Sequence, residues 1–99
     1  MARTMLAIAL ARQGKTTEAN ATLQPALAFF VSPVAKRSDD VTLKAHHANA
    51  IFAEALANAL DRARLLDKAA STYDAMPPAM RRFKEYAPIR DEIAKEMGK

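Results

Sequence analysis

The chain has only two glycines, Gly14 and Gly98, among its 99 residues. Tight turns between β-strands depend on residues that accept a positive φ, which is mainly a property of glycine, so few hairpins between strands are available. Hydrophobic residues make up 51% of the sequence and are led by alanine, with 6% aromatic residues and no tryptophan. Alanine has the highest helix propensity and lets helix axes approach closely. The composition therefore predicts one all-α domain over residues 1–99, large enough to bury a single core.

Charged residues are scattered along the chain. Fifteen Lys and Arg against 11 Asp and Glu give a net charge of +4, and there is no cysteine. The lack of cysteine excludes disulfides and thiolate metal sites and suits a reducing cytoplasm, which is where we expect the protein. The longest uncharged window, residues 19–35, is too polar and too interrupted by proline to cross a membrane. A signal peptide is not favoured, because the short apolar run after Arg3 continues into a helical pattern.

Apolar residues recur at helical spacing in five segments of the chain. Gly14 is expected to end the first helix with a positive φ, and Thr16 or Thr17 to cap the second. Pro25 lies inside the second helix, where it removes a backbone donor and is expected to cause a bend. The residues expected to face inward are Leu6, Ala7, Leu10 and Ala11 in the first helix, and Ala19, Leu23, Ala26, Leu27 and Phe30 in the second.

The remaining helices follow the most loop-like segment, residues 33–40, in which residues 38–40 can cap the third helix. Asn58 opens an apparent capping arrangement, which places a tight corner between the third and fourth helices. The prolines at 77–78 end the fourth helix, and the last segment is expected to break near Pro88. The expected inward residues are Ala45, Ala48, Phe52, Ala55 and Leu56 in the third helix, Ala63, Leu66, Ala70 and Tyr73 in the fourth, and Phe83, Ile89, Ile93 and Met97 in the last segment.

Residues 9–16 fit the loosest form of the phosphate-binding P-loop pattern, with Ala9 in the place of the usual first glycine. A P-loop needs a buried strand that leads into a glycine-rich turn, so that backbone amides surround the phosphates. The residues before Gly14 have helical spacing instead. We therefore interpret this segment as the corner of an antiparallel helical hairpin and expect no nucleotide and no other cofactor.

The first hairpin resembles a tetratricopeptide repeat (TPR), in which a glycine corner follows a helix with a leucine and a small residue inside, and a proline closes the repeat. In residues 1–33 these positions are held by Leu6, Ala7, Leu10, Gly14, Glu18, Ala19, Leu23, Ala26 and Pro33, although Arg3 stands where an aromatic residue is usual. Residues 40–77 resemble a second, degenerate hairpin with Asn58 at its corner, and residues 78–97 a capping helix. The whole resembles the C-terminal repeats of bacterial multidomain TPR proteins, stacked as a short superhelix.

The resemblance implies a non-catalytic module that binds a protein or peptide partner. The family's concave positions in the first helix correspond to Thr4, Ile8, Ala11 and Arg12. Repeats that hold a C-terminal carboxylate carry lysine and asparagine where Thr4 and Ile8 stand here, so that specialised activity is not expected. The resemblance instead implies a largely apolar groove with Arg12 at one edge, suited to an amphipathic or extended segment.

The first helix also carries an apolar outer strip formed by Met1, Met5, Ile8 and Ala9. In a repeat protein this surface is normally covered by a preceding repeat or by a polar capping helix. We expect either that the 99 residues belong to a longer array or that two copies pair through the first helix. Self-association of the isolated chain is favoured, because an exposed apolar patch of this kind is unusual for a monomer.

Two adjacent histidines, His46 and His47, point about 100° apart on a helix and cannot hold one metal ion together, so no metal site is expected. No serine, histidine and carboxylate combine at a helical spacing that would support hydrolysis, so we assign no catalytic residues and expect no enzyme activity.

The alternative function is that of a small basic helical regulator that contacts nucleic acid. Its support is the net charge and the pair Arg81 and Arg82, which could form a phosphate-contacting patch with Arg62 and Arg64. A solvated surface is the favoured interpretation of these residues, because DNA-binding helices usually concentrate their charge on one face.

Overall fold

The computed structural model describes residues 2–33 and 42–98, and these ranges contain helices and no strand. The prediction of an all-α fold is confirmed. Most of the loop predicted over residues 33–40, with its caps at residues 38–40, lies outside the described residues. The helices are α1 (Ala2–Arg12), α2 (Thr16–Phe30), α3 (Thr42–Ala57), α4 (Arg62–Asp74), α5 (Pro78–Arg81) and α6 (Ala87–Met97), with a 3₁₀ turn (Ala59–Asp61) before α4.

Helices α1 and α2 form an antiparallel hairpin whose corner depends on Gly14. This glycine has φ +81°, as the sequence predicts. The backbone N–H of Lys15 donates to the carbonyl of Leu10 (2.9 Å) and satisfies one of the free acceptors at the end of α1. Lys15 itself is the N-cap of α2 and makes no side-chain cap hydrogen bond. The predicted cap by Thr16 or Thr17 is wrong, because the short corner brings the chain into the helix at Thr16.

Helix α3 is the centre of the fold and packs against α1, α2, α4 and α6. All five of its predicted inward residues, from Ala45 to Leu56, are buried. Burial extends beyond one stripe, because Asn49, Ile51 and Ala53 on other faces are buried as well. A helix covered on almost every side needs small side chains where its neighbours approach, and the alanines of α3 meet this need.

The inward residues predicted for the outer helices are confirmed in part. Leu6, Phe83 and Met97 are 54%, 48% and 45% exposed, and Ala63 is exposed too, so these four predictions are wrong. These helices lie at the surface, and each buries a stripe narrower than its apolar pattern. The buried predicted residues are Ala7, Ala19, Leu23, Leu66, Ala70, Tyr73 and Ile93, and the partly buried ones are Leu10, Ala11, Ala26, Leu27, Phe30 and Ile89.

Asn58 lies at the corner between α3 and α4, as predicted, but its side chain does not cap the N-terminus of the helical turn that follows. Its Nδ2 donates to Oδ1 of Asn20 in α2 (2.9 Å) and to the carbonyl of Glu54 (2.8 Å). Nδ2 of Asn20 in turn donates to the carbonyl of Thr16 (3.0 Å). The two amides therefore join the second hairpin to the first, and the predicted N-terminal capping arrangement of Asn58 is wrong.

The last segment divides just before Pro88. Helix α4 ends ahead of the two prolines, as predicted, and residues 82–86 form turns between α5 and α6. Pro88 lies in the first turn of α6, where its missing N–H has no intrahelical acceptor to lose. The hydroxyl of Tyr73 donates to the carbonyl of Arg81 (2.7 Å) and ties α5 to α4.

Candidate binding groove

A groove runs between α1 and α6, with α3 as its floor. It encloses about 820 Å³, which is within the range of sites that take small molecules or short segments of a partner. The groove thus has one wall from α1 and one from α6, on either side of the central helix α3. The lining residues are Met5, Ile8 and Arg12 from α1, Asn49 and Phe52 from α3, and Glu85, Pro88, Ile89, Glu92, Lys95 and Glu96 from the last segment.

The apolar part of the groove is continuous with the core. Phe52 is 2% exposed in the floor, and Ile8 and Ile89 pack against the same buried cluster from the two walls. Met5 stands at the rim and is 57% exposed. An apolar side chain that entered the groove would therefore contact surfaces that are already packed and held in place.

Ion pairs between α1 and α6 close one end of the groove. The Arg12 guanidinium lies 3.5 Å from a carboxylate oxygen of Glu92 and 3.7 Å from one of Glu96. The Lys95 ammonium lies 3.6 Å from the other oxygen of Glu92. The Glu96 side chain is only 5% exposed, and a carboxylate so far removed from water depends on a nearby cation. Because Arg12 is the last residue of α1 and Glu96 lies in the last turn of α6, the two helices meet by their C-terminal ends.

Glu85 marks the opposite end of the groove, ahead of the first turn of α6. No ion pair joins its carboxylate to a basic side chain in the part of the chain that the structure describes. The groove as a whole is lined by three acidic and two basic side chains, which is one excess negative charge. The local charge is therefore opposite in sign to the net +4 of the chain.

Asn49 places a polar amide in the floor beside Phe52. The residue is 4% exposed and lines the groove, and its side chain makes no hydrogen bond within residues 2–33 and 42–98. Its amide atoms are not among the fully enclosed polar atoms that lack a partner, so they keep contact with solvent through the groove. The Asn49 side chain is thus available for a hydrogen bond to an occupant of the groove.

The four residues predicted for the partner-binding face occupy three different environments. Ile8 and Arg12 line the groove. Thr4 is 4% exposed and borders a separate pocket between α1, α2 and α3. Ala11 is partly buried and packs against two core clusters. Met5, which the sequence places on the outer strip of α1, lines the groove as well. The residues that α3 and α6 contribute to the groove could not be predicted, because no local sequence pattern indicates which distant helix faces α1.

The two histidines of α3 contact different neighbours. His47 stacks on Phe30 with ring centroids 4.9 Å apart and an interplanar angle of 12°. His46 meets the ring of Tyr86 edge-on at 6.1 Å. Burial, and to a smaller extent the charge of Lys68, lower the pKa of His47. Within the described ranges no group of three His, Cys, Asp or Glu side chains is arranged to hold a metal ion.

The four arginines of the nucleic-acid alternative lie in two pairs at opposite ends of α4. The Arg62 guanidinium donates to two backbone carbonyls at the end of α3 (both 3.4 Å), and Arg64 lies 3.4 Å from Asp61. Arg81 and Arg82 follow the other end of this 13-residue helix, which at about 1.5 Å per residue is about 20 Å long. The structure therefore presents no single surface formed by all four.

Comparison with known protein families, with curated proteins and with solved structures finds no match to this chain. Among the helices that the structure describes, none has both the length and the apolar character needed to span a membrane. The fold and the groove define an all-α protein with an open, largely apolar groove that has charged residues at both of its ends.

Proposed function

We propose that this chain is a non-catalytic protein-interaction module of TPR type, in which the groove between α1 and α6 binds the apolar face of an amphipathic segment from a partner protein. The observation that carries the proposal is the continuity of the groove with the core through Ile8, Phe52 and Ile89. Burial of apolar surface there contributes about 25 cal/mol per Å² removed from water, and the preformed walls reduce the ordering cost of binding.

The packing order of the helices supports assignment to the TPR type. Helices α1 and α2 meet at a glycine corner, α3 packs against both of them, and α4 packs back against α3 after a short turn. The groove is lined by α1, α3 and the final helix α6. Helices α1 and α3 are the first helices of the two hairpins, and α6 belongs to the segment that corresponds to the capping helix of a TPR array. Together these helices would form the concave surface of a stacked array.

The charges favour a partner segment that carries a basic residue beside its apolar face. At the closed end, Arg12 is already neutralised by two carboxylates, whereas Glu85 at the open end has no such partner among the described residues. A lysine or arginine near Glu85 would contribute mainly to the direction of binding, since ion pairs at a rim add little affinity. A hydrogen bond to Asn49 in the floor would add a second fixed point.

Peptide selection against the wild-type chain, followed by titration into two variants, tests the proposal. Met5 and Leu6 are adjacent and similarly exposed, at 57% and 54%, but only Met5 lines the groove. Peptides of about 12 residues are long enough, because the 11-residue wall formed by α6 extends about 16 Å. We expect selected peptides to have apolar residues at helical spacing with a flanking Lys or Arg, to bind Leu6→Glu like the wild type, and to bind Met5→Glu about tenfold or more weakly.

Circular dichroism confirms that both variants are folded before the affinities are compared. Equal losses in the two variants, or the absence of any apolar consensus among the selected peptides, would contradict the proposed site. If the wild-type chain is a dimer that Met5→Glu alone dissociates, the groove is occupied by a second copy and not by a partner segment.

A further inference from the structure

We infer that a second site, at the junction of α4, α5 and α6, binds a phosphate monoester. The site is a pocket of about 260 Å³, which suits one compact anionic group. It shares no lining residue with the groove, so the inference does not rest on the proposed function. The pocket is lined by Tyr73, Asp74, Pro78, Arg81, Arg82 and Arg90.

Three arginines share this pocket with a single carboxylate. Arg90 is held by Asp74 through two hydrogen bonds, from Nε to Oδ1 (3.2 Å) and from Nη2 to Oδ2 (3.4 Å). Neither Arg81 nor Arg82 forms an ion pair with an acidic side chain of the described residues. The lining of the pocket therefore carries two positive charges in excess, because three arginines stand against Asp74, while the charge of Asp91, which also acts on Tyr73, lies outside the lining. A doubly charged anion would neutralise them.

Arg81 contributes a donor that the fold leaves unsatisfied. Its Nε is buried without a hydrogen-bond partner, and no other buried side-chain nitrogen or oxygen of residues 2–33 and 42–98 is in this condition. An unsatisfied buried donor costs free energy, and in a native structure it often marks the place of an ion or a water molecule. The Tyr73 hydroxyl fixes the backbone of Arg81 through its carbonyl (2.7 Å), so this residue is held at the pocket by the fold. An anion in the pocket can reach the terminal nitrogens of Arg81, and a rotation of this side chain that turns its fork towards the anion would give Nε its missing acceptor as well.

The charge and the size of the pocket select a phosphate monoester over a nucleic-acid strand. A phosphoryl group carries a charge of about −1.5 to −2 at neutral pH and presents three acceptor oxygens, which match the excess charge and the arginine forks. A phosphodiester carries one charge per group, and a strand of them needs a row of cations along its path. Arg62 and Arg64, which could extend such a row, lie in the first turn of α4, at the other end of this helix of about 20 Å from the pocket.

Titration of the isotopically labelled chain with inorganic phosphate and with O-phosphoserine, followed by NMR, tests the inference. We expect saturable shifts of the backbone amides of residues 79–82 and of Arg90, with dimethyl phosphate, a diester, binding about tenfold or more weakly. Arg82 is exposed, so Arg82→Gln should keep the fold and weaken phosphate binding about tenfold. Arg64→Gln removes the same charge at the far end of α4 and should leave the affinity unchanged. Asp74→Asn should tighten binding, because it removes the carboxylate that competes for Arg90.

Several outcomes would overturn the inference: no saturable shift at millimolar phosphate, an equal loss of affinity in Arg64→Gln and Arg82→Gln, or weaker binding in Asp74→Asn. Tighter binding of a single-stranded oligonucleotide than of O-phosphoserine would assign the surface to nucleic acid. The Met5→Glu variant is expected to bind phosphate like the wild type, so that a failure of this site and a failure of the groove are recognised separately.

Discussion

Gly14 lies at the corner between α1 and α2. A methyl group added at this position tests the cost of backbone strain alone, because it creates no steric clash. Its φ is +81°, and an added Cβ would meet no other heavy atom within 4 Å. The substitution Gly14→Ala therefore introduces strain without a clash. A left-handed conformation costs an L-residue about 1–2 kcal/mol, and the stiffer unfolded chain offsets about 0.4–1 kcal/mol of this. We expect the free energy of unfolding to fall by about 1 kcal/mol.

Gly98 is the matched control, since it is the other glycine of the chain. It closes α6 with φ −80°, and an added Cβ would lie 3.6 and 3.7 Å from the carbonyl oxygens of Lys95 and Ala94, which is ordinary contact. The substitution Gly98→Ala therefore carries no left-handed strain but still stiffens the unfolded chain. It should be neutral or should stabilise by up to about 1 kcal/mol. The same chemical change is thus expected to act in opposite directions at the two glycines.

Thermal unfolding followed by circular dichroism measures both effects. In a domain of this size, about 1 kcal/mol corresponds to about 4–8 °C in Tm. We expect Gly14→Ala to melt below the wild type by this amount, Gly14→Val to melt lower still because its β-branch restricts the backbone further, and Gly98→Ala to melt at or above the wild type. A Tm for Gly14→Ala equal to or above that of the wild type would refute the left-handed corner. ATP binding at micromolar concentration that depends on Gly14 would show that residues 9–16 are a phosphate loop.

Three further predictions concern the core, a titrating side chain and self-association. Leu23 is fully buried and Leu60 fully exposed, so Leu23→Ala should cost about 2–5 kcal/mol and Leu60→Ala less than about 0.5 kcal/mol in chemical denaturation; similar costs would place Leu23 outside the core. The pKa of His47 is lowered in the folded chain, so its contribution to stability is present above the unfolded pKa of about 6.5 and is lost as the pH falls through the folded value. Stability should therefore fall below about pH 6.5 and do so less in His47→Gln; an equal slope in both would exclude His47 as a cause. Pairing of two chains through the apolar strip of α1 would occupy the groove that contains Ile8. Such pairing predicts by light scattering the mass of two chains for the wild type and of one for Ile8→Glu, whereas a wild-type monomer at high concentration would contradict it and leave the groove to a partner segment.

The sequence alone was sufficient for features that depend on a few neighbouring residues. The positive φ of Gly14 follows from the steric freedom of glycine, and the end of α4 follows from the prolines at 77–78. The buried stripe of α3 follows from apolar residues at helical spacing, although its burial on other faces does not. Ile8 and Arg12 are half of the predicted binding face. They are four residues apart, so helical spacing places both on one side of α1, and both line the groove.

The tertiary structure alone decided which of these faces are covered and by what. Leu6 and Ala7 belong to the same apolar stripe, yet Ala7 is buried and Leu6 is 54% exposed, because periodicity defines an apolar face without defining the helix that packs on it. The pairing of Arg12 with Glu92 and Glu96 joins residues that are distant in sequence. In the same way, Arg81 and Arg82 are brought beside Arg90 and not beside Arg62 and Arg64, since the two pairs lie at opposite ends of α4. Both the groove and the arginine pocket arise from contacts between helices, and such contacts depend on the packing of the whole chain.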